Sequence, residues 1–183
     1  MVIAHSPDIQ TILNQLLIDD ISRDDSVSTL GSSWRPVSDR VMGGVSRATL
    51  RFEEHAGRRC LHLSGDVRLE NDGGFIQMGL DLDPEGNPID ARRFAGLRLV
   101  VQGNGERYSL HLRTTDVVRP WQSYRAQFEA PPEWREVRVP FTAFVPHRIE
   151  APLDPSRLRR VGVVAIGRAF FADLRLAEMA FYL

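Results

Sequence analysis

The side chains able to perform nucleophilic or metal chemistry are few: one cysteine, Cys60, and five histidines at positions 5, 55, 62, 111 and 147. The histidines are scattered, without the close spacing that brings two imidazoles to one metal ion. A catalytic thiol needs a neighbouring base to draw off its proton. His62 shares the parity of Cys60 in Cys60-Leu61-His62-Leu63, and it reads as an outward or edge side chain. Serine chemistry of the nucleophile-elbow kind has no support. No Gly-x-Ser-x-Gly occurs, and the only glycine pair beside a serine is Gly43-Gly44-Val45-Ser46. The chain is therefore expected to be no enzyme and to need no cofactor.

Two further groups of residues could bind rather than react. Asp81, Asp83 and Glu85, with Gly86 for a bend, resemble the start of a calcium loop. Its twelfth position is Arg92, however, where such loops carry a bidentate Glu, so the plain reading is an acidic surface turn with no metal. Strict alternation places Arg98, Arg107, His111, Arg113, Arg125 and Gln127 on one sheet face opposite the core, with Trp121 and Tyr124 flanking the strand of Arg125. Arginine forks and aromatic planes grip sugars, phosphates, carboxylates and protein surfaces. A sheet in a chain whose 23 cations are all arginine must also turn arginines to solvent, so both readings of this face stand.

The elements that must carry these residues are strands. Leu97, Leu99 and Val101 alternate with Arg98, Val100 and Gln102; beyond Gly103-Asn104-Gly105, Tyr108, Leu110 and Leu112 alternate with Ser109, His111 and Arg113. This pattern predicts a hairpin. Further strands are expected at Ala48–Glu53, Leu61–Leu63, Val67–Leu69, Phe75–Leu80, Tyr124–Phe128, Val137–Phe141, Val161–Ile166 and Leu174–Tyr182. Nine or ten short strands with polar turns and no helix between them indicate an all-β, antiparallel β-sandwich. Ahead of them, Ser6-Pro7 followed by Ile9, Ile12, Leu13, Leu16 and Leu17 predicts one short helix whose apolar stripe docks on the domain or on a partner. The acidic, serine-rich stretch Asp19–Ser33 reads as a linker. The expected division is residues 1–33 as helix and linker and residues 34–183 as the sandwich domain.

Composition removes other classes. The chain has 183 residues, and 23 arginines against 24 Asp plus Glu leave a net charge of −1. A near-neutral total argues against a broad nucleic-acid surface, which needs a clustered positive excess. One cysteine rules out an intramolecular disulfide and a cysteine zinc cage. No apolar run approaches eighteen residues, so no membrane-spanning helix is expected. The first twenty residues lack a basic signal-peptide start, and the expected compartment is the cytoplasm.

Two glycine-rich segments are more specific than turns: Trp34 to Ser46, with Asp39, Met42, Gly43 and Gly44, and Leu69 to Phe75, with Asn71, Gly73 and Gly74. Paired glycines between apolar residues mark a place where backbones approach closely, with Asp39 and Ser46 suited to cap freed backbone groups and Met42 and Phe75 to plug the core. With Gly103–Tyr108, Trp134, Val139-Pro140-Phe141, Phe144, Ile166-Gly167 and Phe171–Phe181, these residues resemble the complex I intermediate-associated protein family. Those proteins are assembly factors for respiratory NADH:ubiquinone oxidoreductase. The resemblance implies a jelly-roll β-sandwich like galactose-binding and carbohydrate-binding modules, with no established catalytic residues. It implies a non-catalytic, assembly- or chaperone-like module whose partner is a protein, including an intermediate of a membrane respiratory complex. The alternative is a carbohydrate- or small-anion-binding module using the arginine face.

Overall fold

The computed structural model describes residues 15–183. Their twelve strands are β1 (Gln15–Asp19), β2 (Arg35–Ser38), β3 (Thr49–His55), β4 (Arg58–Val67), β5 (Phe75–Asp81) and β6 (Gly96–Gly103), then β7 (Arg107–Thr114), β8 (Ser123–Glu129), β9 (Arg135–Pro140), β10 (Val145–His147), β11 (Leu158–Ile166) and β12 (Phe170–Tyr182). Every pairing is antiparallel. The first sheet has the order β3-β4-β12-β6-β9, with β1 also on β12; the second runs β10-β8-β7-β11-β5-β2. Alternating Leu, Val, Ile and Phe from both sheets meet between them, with Leu61, Leu63, Leu97, Leu99, Leu110, Leu112, Val161, Val163 and Leu174 almost fully buried in one core. This is the all-β jelly-roll sandwich expected from the period-two pattern. Among the described residues, no helix is long and apolar enough to cross a membrane.

Four expectations about the fold are corrected. Gly103-Asn104-Gly105 does not close a hairpin. β6 pairs with β12 and β9, whereas β7 pairs with β11 and β8, so the turn carries the chain from one sheet to the other. Gly103 and Gly105 donate their N–H groups to the carbonyls of Pro131 and Ala130, which anchors this crossing in the β8–β9 connection. Two alternating strands look the same in sequence whether they pair side by side or stack face to face.

Leu16 and Leu17, expected on a helix, lie in β1 and pair with Phe181 and Ala180 of β12; the earlier part of that stripe lies outside the described residues. Open hydrogen-bonding positions beside the last strand outweigh the helical spacing of so short a stretch. Asp19–Ser33, read as a linker, packs onto the sandwich. Ile18 and Ile21 join the common core, and the buried Asp19 carboxylate accepts the indole N–H of Trp34 at 2.7 Å. Finally, Val67–Leu69 is not a separate strand, because β4 extends through Val67.

Candidate functional site

At one end of the sandwich the two glycine segments close around a single carboxylate. Asp39 opens a 3₁₀ turn, Asp39–Met42, and its side chain is completely buried. It accepts the Ser46 N–H at 3.0 Å, the Ser46 hydroxyl, the Gly74 N–H at 2.6 Å and the Phe75 N–H at 3.4 Å. Burial pushes the carboxyl upward, but these hydrogen bonds together outweigh it and hold Asp39 below the usual carboxylate range. The glycines make room: a Cβ on Gly44 would collide with Asp39 Oδ1, and one on Gly73 would stand 2.5 Å from Oδ2. Gly43 ends the turn at φ +86°, and the Asn71 amide donates to its carbonyl at 3.2 Å, tying the two segments together.

Met42, expected to plug the core, is turned outward and 55% exposed, as are Val41 at 74% and Leu69 at 50%; Phe75 is half-buried. The end of the sandwich is thus fixed from inside by Asp39 and carries Val41, Met42 and Leu69 outside, among the exposed Arg40, Arg68 and Glu70.

The outer face of the second sheet gathers most of the predicted arginine face. Arg107, His111 and Arg113 stand on β7, Arg125 and Gln127 on β8, with His111 opposite Arg125 and Ser109 opposite Gln127. Arg98 does not join them. It lies on β6, on the outer side of the other sheet, where it pairs with Glu136 at 3.4 Å and with Glu178. Tyr124 is also elsewhere: it points inward, fully buried, and its hydroxyl donates to the carbonyl of Ala151 at 2.9 Å. Adjacent residues of a strand face opposite ways, so an outward Arg125 requires an inward Tyr124. Trp121, 48% exposed in the β7–β8 loop, stands 5.9 Å from the Arg119 guanidinium.

His111 has a buried Nε2 without a hydrogen-bond partner. Burial first, then Arg125, His147 and Arg113, drive its pKa down to about 3, so the ring is neutral at neutral pH. Two glycines, Gly162 of β11 and Gly79 of β5, continue its row across the sheet; the Gln77 side chain lies over Gly162, and Gly79 is open.

Burial, helped by Glu53, pushes the Cys60 thiol up to about 11, the reverse of an activated nucleophile. His62, two residues on, lies between Glu53 at 3.2 Å and Asp173 at 2.7 Å; Arg175 reaches the same two carboxylates and Gln102. Sequence reading missed this network because its members come from four strands. Asp81 is held by Arg35 and Arg160, and the Asp83 carboxylate accepts the backbone N–H of Glu85, so these two calcium candidates are engaged separately. Among the described residues no three His, Cys, Asp or Glu side chains converge as metal ligands.

Solved structures of the same architecture include carbohydrate-binding modules. The family 11 module of the cellulosomal cellulase Lic26A-Cel5E of Clostridium thermocellum superposes with a TM-score of 0.69 at 11% identity, covering 92% of this chain and 94% of that one. The family 30 module of cellulase Cel9D-Cel44B of Clostridium thermocellum gives 0.62 at 16% identity, covering 91% and 95%. An exo-beta-agarase gives 0.55 at 11% identity, covering 91% of this chain and 24% of the enzyme. At such identities the likeness shows the fold alone. No curated protein matches the sequence. The profile of Complex I intermediate-associated protein 30 (CIA30), in contrast, matches residues 23–176. That span takes in the buried Asp39, both glycine segments and eleven of the twelve strands in whole or in part, and the chain belongs to the CIA30 family.

Proposed function

We propose that this chain is a cytoplasmic, non-catalytic protein-binding module that assists assembly of a respiratory NADH:ubiquinone oxidoreductase complex, and that it contacts its partner through the end of the sandwich built around Asp39. The observation that carries this reading is the exposure of Val41, Met42 and Leu69 on loops whose backbones are locked from within. Val41 and Met42 are more than half exposed, Leu69 covers Gly74 with part of its side chain, and apolar groups held at a surface are suited to protein contacts. Family membership supports the kind of partner.

The test is photo-crosslinked capture of the tagged full chain from its native host; amine reagents are unsuitable because the sequence has no lysine. Subunits of the respiratory complex should be enriched over an untagged control and lost in a Val41→Ser/Met42→Ser variant of unchanged Tm. No enrichment of those subunits, or equal capture by the variant, would overturn the reading.

A second reading, carbohydrate binding on the outer face of the second sheet, draws on the architecture of the neighbours. On that face β7 and β8 offer no aromatic platform for a sugar ring, since Tyr124 is in the core. A saturable rise in Tm with one member of a soluble glycan panel would favour it.

A further inference from the structure

β5 joins the two ends of the second sheet. Phe75, at its start, reaches Asp39, and Asp81, at its end, borders a cavity of 380 Å³. That size is within the range of small-ligand sites, about 300–1,000 Å³. Four arginines line it, Arg113, Arg119, Arg159 and Arg160, against one acidic residue, Asp81. Asp81 is already committed, accepting from Arg35 at 3.0 Å and from Arg160 at 2.7 Å.

The other three arginines meet no carboxylate among the described residues. Arg113 donates to the Arg119 carbonyl at 3.0 Å, Arg159 donates to the Gly86 carbonyl at 3.1 Å, and Arg119 stands over Trp121. Arg113 is half-buried; burial and then Arg160 pull it below its ordinary pKa, and Asp81 compensates only in part. Like charges gathered in a partly desolvated cavity oppose folding unless something neutralises them.

The wall is set in advance. Gln122 Oε1 accepts the N–H groups of both Val118 and Arg119 at 3.0 Å, while its amide donates to the Arg148 carbonyl at 3.1 Å. The loop that carries Arg119 is therefore shaped before any ligand arrives, which lowers the entropy cost of binding. Guanidinium forks match the paired oxygens of planar and tetrahedral oxyanions.

We propose that this cavity binds an oxyanion, a carboxylate or phosphate group, through Arg113, Arg119 and Arg159. The site lies at the opposite end of β5 from Val41 and Met42, so it goes beyond the protein-binding reading and stands or falls separately.

The experiment is thermal unfolding of the full chain in sodium phosphate, sodium citrate and sodium chloride at matched ionic strength. Bound oxyanion at ten times its Kd should raise Tm by roughly 3–6 °C above the chloride control. An Arg113→Gln/Arg159→Gln variant should bind at least about tenfold more weakly. Arg51→Gln, on the outer side of the first sheet, should respond like the unmodified chain. A rise with citrate alone assigns the carboxylate source, and one with phosphate alone assigns a phosphate ester. No rise over chloride, or the same rise in all three proteins, would overturn the proposal. Should the double variant fail to fold, the His111 imidazole resonances of the unmodified chain decide. His111 lies two residues from Arg113 on the same face, so its signals should shift saturably with phosphate or citrate, and their failure to move would overturn the site.

Discussion

The N–H of Gly74 donates to Oδ2 of Asp39 at 2.6 Å across thirty-five residues of sequence. That bond, with those from Ser46 and Phe75, lets the Asp39 side chain hold both glycine segments at once. Asp39→Asn replaces one acceptor oxygen by an NH₂ group that faces donors. It should cost roughly 2–4 kcal/mol, read as a lower urea midpoint at unchanged m. The pH dependence follows from the sign of the shift. The folded pKa is held below the unfolded value of about 3.9, so the stabilisation is complete above about pH 5 and is lost as pH falls through the folded pKa. The stability gap between the two proteins should therefore close in acid.

Gly44 is needed for space. A Cβ there meets the Asp39 carboxylate itself, which is pinned by its hydrogen bonds and has nowhere to retreat. Gly44→Ala should destabilise by about 1–3 kcal/mol through overpacking, and Gly44→Val should yield little soluble protein. Gly43, whose Cβ would meet nothing within 4 Å, is constrained by its φ of +86° instead. Gly43→Asn should therefore be tolerated better than Gly43→Val. Calorimetric Tm values for the four variants check both statements.

Trp121 and Tyr124, paired in the sequence reading, should separate on mutation. Trp121→Ala removes an exposed ring and should move stability by less than about 0.5 kcal/mol. Tyr124→Phe leaves the carbonyl of Ala151 without its donor inside the protein and should cost about 1 kcal/mol. Chemical denaturation of the two single variants reads the difference directly.

His111 should stay neutral well below the pH at which a free histidine titrates, because its pKa is driven down to about 3. The unfolded chain takes up this proton near pH 6.5 and the folded chain does not. Stability should therefore be full above pH 6.5 and should fall as pH drops from about 6.5 toward 3. His111→Gln should flatten that part of the profile, and imidazole shifts followed by NMR should show no titration at His111 between pH 7 and pH 4.

How far the sequence reaches is clear from particular residues. Alternation along Tyr108–Arg113 and Tyr124–Phe128 gives the facing of every side chain on β7 and β8, because a strand has only two faces. The glycine pairs mark a close approach, which the structure locates at Asp39. Period two carries no information about which strand lies beside which. β6 and β7 therefore read as a hairpin although they belong to different sheets, and Arg98 reads with Arg113 although the sandwich stands between them. Leu16 and Leu17 have helical spacing, yet β12 offers them a ladder to join.

By itself, then, the sequence determined the all-β class, most of the strands with their inward faces, and the family resemblance. All of these depend on the order of residues along one segment. Only the tertiary structure decided that one buried carboxylate joins two distant glycine segments. It alone set Val41 and Met42 outside, and it gathered Arg113, Arg119 and Arg159 around one cavity. Those relations depend on distances between segments, and such distances are set by the packing of the two sheets.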